Sequence, residues 1–185
     1  EEKLLSGDLD LVLDNHQMDE KIYRKELFSS EMLLLAVPKS AKIPSALQKF
    51  ALEHHDVLEG RQLLTQTYAV NIRDFMQNSF IALRHGNDTR IRMDMICEQS
   101  GFSPKIQLEV DQLTTAYNIV CSNMGITLVS DTLITHTAPV PGVVYYKLDS
   151  EQLYRHSYFY YKNSSYVTRA MREFIRTGTS SFARS

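Results

Sequence analysis

The sequence predicts an α/β protein, and three observations carry the expectation. Strand-length apolar runs recur along the chain, helical stripes separate several of them, and 185 residues with 43% apolar and 23% charged content can bury a substantial core. Strands alternating with helices of about ten or more residues imply parallel pairing through right-handed crossovers, with helices covering both faces of the sheet.

Taken in chain order, strands are expected at Leu9 to Leu13, Met32 to Val37, Phe80 to Leu83, Ile106 to Val110, Ile126 to Val129, Val143 to Leu148 and Tyr158 to Tyr161, where apolar residues alternate or run on continuously. The clearest helix places Leu113, Ala116, Tyr117, Val120, Cys121 and Met124 on one face, with Asp111 as its cap and Gly125 as its stop. A final helix puts Val167, Ala170, Met171, Phe174 and Ile175 on one stripe, capped by Ser164 or Ser165 and ended by Gly178. Weaker helical patterns run from Ser45 to about Leu58, around Leu47, Phe50 and Ala51, and from Thr89 to Ser100, with Asn87 or Asp88 as cap and Gly101 as stop. Pro139, Pro141 and Gly142 form a turn, because proline lacks a ladder donor and drives the preceding residue out of helix.

Charge excludes some functions. A net charge of −2 with acidic and basic residues interspersed gives no electrostatic footprint for wrapping nucleic acid or adhering to an anionic membrane. The start, Glu1-Glu2-Lys3, is charged, and no stretch approaches the roughly 20 apolar residues of a membrane span, so a cytoplasmic protein is expected. Cys97 and Cys121 fall within apolar helical patterns, as inert thiols of a reducing compartment do.

The six histidines form no metal constellation: His54 and His55 are adjacent, and no pair has four-residue helical spacing. No nucleophile elbow, phosphate-binding Gly-rich loop or dinucleotide fingerprint is present, so neither catalytic residues nor a cofactor are expected.

In α/β sheets ligands bind outside the carboxyl ends of the strands, where helix N-termini offer free amides. That rule selects Asp14 to His16, Arg84 to Asp88, Asp111 to Leu113, and Ser130 at the end of the Ile126 to Val129 run.

At this point the order of segments points to a family. GDLDLVL at Gly7 to Leu13, then LFSSEMLLLAVPKS, then FIALRHGNDTRIRMDMICEQSGFSPKIQLEVDQLTTAYNIVCSNMGITLVSD, resembles the effector-binding domain of LysR-type bacterial transcription regulators. Cys97, Gly101, Phe102 and Pro104, followed by a helix ending at Gly125-Ile126, look like that family's second subdomain, and the closing YFYYKNSSYVTRAMREFI looks like its terminal strand and helix. The resemblance spans nearly all of Leu4 to Arg176.

The resemblance implies two Rossmann-like subdomains arranged as in type-two periplasmic binding proteins, with a small effector held in the cleft between them. Residues 1–78 with 151–185 would form the first and 79–150 the second, the chain crossing at Asn71 to Ser79 and again at Asp149 to His156. It implies a non-enzymatic ligand sensor whose DNA contact belongs to a helix-turn-helix domain outside this sequence, in a regulator that forms homo-oligomers. The family's domain normally opens with a strand and long helix before the GDLDL element, so roughly one βα unit is expected to be lacking from the first subdomain. A solute-binding protein of the same architecture is the alternative, and an enzyme on this fold would need a catalytic set that the sequence does not offer.

Candidate effector contacts are Asn15, His16, Arg84, His85, Gly86, Asn87, Asp111, Gln112 and Ser130. Gly86 permits close backbone approach, while Arg84 and His85 can pair with a carboxylate or phosphate beside a helix N-terminus; the plainer reading is a solvated turn with a capping Asn. Asp111 either lends loop amides to the ligand or only caps its own helix, and Asn15 and His16 are either contacts or surface residues. The tyrosines at 145, 146, 158, 160 and 161 read as core through strand alternation rather than as an aromatic platform.

Overall fold

The computed structural model describes residues 1–182. Their elements in chain order are α1 (Glu2–Ser6), β1 (Val12–Asp14), β2 (Tyr23–Pro38), a 3-10 turn at Ser45–Phe50, α2 (His54–Leu58), 3-10 turns at Arg61–Leu63 and Ile72–Phe75, β3 (Ser79–Leu83), α3 (Asp88–Gln99), β4 (Lys105–Val110), α4 (Leu113–Cys121), β5 (Thr127–Ser130), α5 (Asp131–Thr135), β6 (Val143–Tyr146), β7 (Tyr154–Lys162) and α6 (Arg169–Phe182). Every expected strand has a counterpart. The chain divides into two compact units, one made of Glu1–Glu31 with the chain from Arg155 onward, the other of Met32–Tyr154.

In the first unit β7 lies between β1 and β2, with Val12 opposite Tyr160 and Asp14 opposite Tyr158. Strand alternation sends Tyr160 and Tyr158 to one side, against Leu4, Met18 and Tyr23, and Phe159 and Tyr161 to the other, against Ile175, Phe28 and Met171. Tyr160 and Tyr161 are core, as expected, and Tyr158 packs half-buried against the first cluster.

The closing helix starts later than its sequence signals suggest. The Thr168 hydroxyl, rather than Ser164 or Ser165, accepts the Met171 amide at 3.1 Å. Gly178 does not end the helix but lies inside α6, where a Cβ would come within 3.1 Å of the Phe159 ring. The residue is small because the helix is pressed against an aromatic pair, Phe28 and Phe159, packed edge to face at 5.0 Å.

The second unit is built on Met32 to Val37, at most 1% exposed, a run apolar on both faces because both are covered. This half of β2 pairs antiparallel with β5 and with β6, so the sheet is not all parallel as alternation implied. The parallel part is β3 with β4, joined through α3, and a parallel bridge from Phe80 to Ile126 at the start of β5. Gly125 makes that bridge possible: it holds a φ of +128°, and a Cβ would stand 2.8 Å from the Ser79 carbonyl oxygen.

The passages between units fall at Glu31/Met32 and Tyr154/Arg155, so the compact units do not follow the expected 78/79 boundary. Residues 39–78 stay with the second unit because their backbone is stitched to it. Leu52 exchanges two 2.8 Å hydrogen bonds with Tyr145, and the Val70 amide donates to the Lys147 carbonyl at 2.8 Å. The Leu52 bridge also explains why Ser45 to Leu58 is a 3-10 turn and a short α2 rather than one helix.

Candidate functional site

The candidate loops of the second unit sit at the carboxyl ends of β3 and β4, side by side because those strands are parallel neighbours. The Arg84 amide donates to the Val110 carbonyl at 3.1 Å, closing β3 onto β4 where both loops begin. A turn follows, in which Gly86 takes φ +88° with open space around it and the Asn87 amide donates to the Arg84 carbonyl at 3.2 Å. Asn87 then starts α3, its side chain accepting the Thr89 amide at 2.9 Å.

Asp111 does not cap α4, as its position suggested. The N-cap is Gln112, with no side-chain cap hydrogen bond, and Asp111 instead accepts an ion pair from Arg84 Nε at 2.9 Å. This contact brings two of the candidate loops together. Arg84 and Asp111 are 68% and 63% exposed, so their attraction is weak and open to competition by another anion.

Ser130 is buried, and its hydroxyl accepts the Leu133 amide at 3.2 Å, capping α5. Asn15 and His16 belong to the other unit, in the turn after β1, where the His16 amide donates to Asp14 Oδ1 at 2.9 Å and the imidazole is exposed.

Below the loops lies a cation absent from the sequence-derived candidates. Arg90, 7% exposed, donates to the Leu83 carbonyl at 3.0 Å, to Glu109 Oε1 at 2.6 Å and to Asp94 Oδ2 at 2.8 Å. Its Nη2 lies 3.3 Å from His85 Nε2, which is 3.8 Å from Glu109 Oε1. Arg90 thus fixes the end of β3, the side of β4 and the imidazole of the candidate loop. The Arg90 hydrogen bond holds the Glu109 carboxyl below its usual range. One signal was legible: Arg90 falls on the buried stripe of α3 with Met93 and Cys97, a place where arginine needs partners.

Chemistry at the thiols is unfavourable. Cys97 and Cys121 are free; burial pushes the Cys97 thiol up to about 12 and raises that of Cys121. Among the described residues no group of three His, Cys, Asp or Glu could hold a metal ion, and no helix is long and apolar enough to cross a membrane.

Strand–loop–helix junctions set side by side at one sheet edge are the architecture in which α/β domains bind small molecules. A model of the family described as LysR substrate binding domain matches residues 1–182, and the chain belongs to that family. It is 30% identical over 139 residues to the HTH-type transcriptional regulator CzcR of Bacillus subtilis (strain 168), a match covering 74% of this chain and 48% of the regulator. The chain thus spans about half the length of such relatives.

The fold is similar to the CcmR regulatory domain of Synechocystis PCC6803 in complex with 2-PG, with a TM-score of 0.69 and 14% identity over 98% of this chain and 77% of that one. It is similar also to the effector binding domain of QuiR in complex with shikimate, with a TM-score of 0.66 and 16% identity over 99% and 76%. The architecture is therefore the type-two periplasmic-binding-protein-like fold of LysR effector domains, and the regulator relatives favour a sensing domain over a solute-binding protein.

Proposed function

We propose that this chain is the ligand-sensing part of a cytoplasmic bacterial transcription regulator and that it binds a small anion at the Arg84–Asn87 and Asp111–Gln112 loops, with Ser130 supporting the neighbouring junction. The observation that carries the reading is the pairing of two strand–helix junctions at one sheet edge, with Arg84 and His85 between them. The amides opening α3 and α4 attract negative charge, and an effector carboxylate competes with the exposed Asp111 for Arg84 at little cost. That similar domains are described with 2-PG and with shikimate, the latter a carboxylate, supports the ligand class.

Binding does its work only by favouring one conformation over another, since a ligand with equal affinity for both shifts nothing. In the whole regulator, a homo-oligomer, that shift reorients DNA-binding domains separate from this chain. What the loops offer is a positioned cation and free amides, a set suited to holding an anion.

A thermal-shift screen of small carboxylates, phosphates and matched neutral analogues tests the reading. At about 100 times its dissociation constant an effector adds roughly 2.7 kcal/mol of stability. Stabilisation by anions alone supports the proposal, whereas stabilisation only by neutral compounds, or by none, overturns it.

A further inference from the structure

Two side chains outside the candidate loops hold the chain where it changes unit. Arg92, one turn into α3, donates from Nε to Asp88 Oδ2 at 2.8 Å, and Asp88 is the first residue of α3, directly after Asn87. Its Nη1 donates to the Gln152 carbonyl at 2.6 Å and the Tyr154 carbonyl at 3.1 Å, and Tyr154 is the last residue of its unit. Asp131, the first residue of α5 directly after Ser130, does the corresponding work at the other passage. Its Oδ1 accepts the Met32 amide at 3.0 Å and the Thr132 amide at 2.8 Å, while Oδ2 accepts Gln62 Nε2 at 3.2 Å. Met32 is the first residue of the unit, and its buried amide finds its partner in a side chain.

From this we infer that Arg92 and Asp131 are positioning residues that tie the backbone at both passages to the helix starts at the candidate loops. The inference extends the sensing role proposed above by naming the route out of the loops, but its physical content is independent of any ligand. Asp88 and Arg92 lie one turn apart on a rigid helix, so a movement of the α3 start carries the guanidinium with it. The two carbonyls before Arg155 then lose or regain a charged donor. Asp131 works by the same means, because its carboxylate bridges the α5 start and the amide of Met32. Each link is charge-assisted, and those to the Gln152 carbonyl and the Met32 amide are partly buried, the kind of contact whose loss is felt locally.

Residue-resolved amide hydrogen exchange on this chain tests the coupling without an effector. Asn87→Ala removes the α3 cap, and Ser130→Ala removes the α5 cap. With Arg92 and Asp131 in place, the first should speed exchange at residues 152–156 and the second at residues 32–34, each about fivefold, the worth of one helix cap. In an Arg92→Met background exchange at 152–156 should already be fast and indifferent to Asn87→Ala. Asp131→Ala should do the same at 32–34, while Arg92→Lys and Asp131→Asn, which keep a donor and an acceptor, should restore part of the response. Unchanged strand-centre exchange at Leu35 and Ala36 reports an intact fold in every variant.

Cap removal that leaves the passages unmoved, or moves them equally with Arg92 and Asp131 replaced, overturns the inference. A domain that binds no anion yet shows this coupling would refute the sensing proposal alone.

Discussion

Replacing Arg90 by Met removes the guanidinium beneath the candidate loop while keeping most of the apolar stem. The Leu83 carbonyl loses a charged donor at 3.0 Å, and Glu109 and Asp94 lose partners at 2.6 and 2.8 Å. A hydrogen bond from a charged group contributes about 1.5–3 kcal/mol. The two carboxylates are 41% and 40% exposed, so water screens them and their pairs add little to this. The loss is therefore roughly 1.5–3 kcal/mol, set by the buried carbonyl. At about 3 kcal/mol the melting temperature of a chain this size should fall by roughly 6–12 °C. Differential scanning calorimetry reads this directly, and Arg90→Lys, with a point charge in place of the planar fork, should recover only part of it. A shift below about 2 °C for Arg90→Met would refute the claim that this network anchors β3 and β4 beneath the loops.

Three further outcomes are expected. Gly125→Ala should cost roughly 2–6 kcal/mol by urea denaturation, combining positive-φ strain with the approach of its Cβ to the Ser79 carbonyl, while Gly86→Ala, with φ +88° but open space, should show the strain alone. Equal losses would remove the close-approach argument. Because the Glu109 carboxyl is held down by Arg90, its contribution is complete above its usual 4.5 and is lost as pH falls from there through its lowered folded value; Glu109→Gln should flatten stability across that acid window, and an identical slope would contradict the assignment. Cys97, with its thiol pushed up to about 12, should resist alkylation at neutral pH until the chain unfolds, and rapid labelling of the native protein would contradict its burial.

Where local pattern governs, the sequence was a sufficient guide. All the expected strands correspond to observed ones, most of them because their apolar runs are buried, and Asn87 caps α3 because a side chain two residues from an orphan amide needs no tertiary help. The reading failed where a distant partner decides. Asp111 stands where a helix cap is expected, but Arg84, 27 positions earlier, claims its carboxylate once β3 and β4 lie parallel. Gly178 read as a helix stop, yet it is the gap into which Phe159 fits. Tyr23 to Glu31 was not read as strand because its residues are mostly half-exposed, so only the fully buried half of β2 stood out. The passages between units fell inside β2 and at β7, in regular strand rather than in a linker, leaving no Gly- or Pro-rich mark at Glu31/Met32.

The central claim, that the Arg84–Asn87 turn binds a small anion, is tested most directly by isothermal titration of this chain with the anion that stabilises it most, beside Arg84→Ala and His85→Ala. Both side chains are exposed, so the variants should fold normally. Loss of a charge-assisted hydrogen bond should weaken binding roughly tenfold or more, with melting temperatures of the free proteins unchanged. Equal affinity in all three proteins would contradict the account and return the turn to a capped connection between β3 and α3.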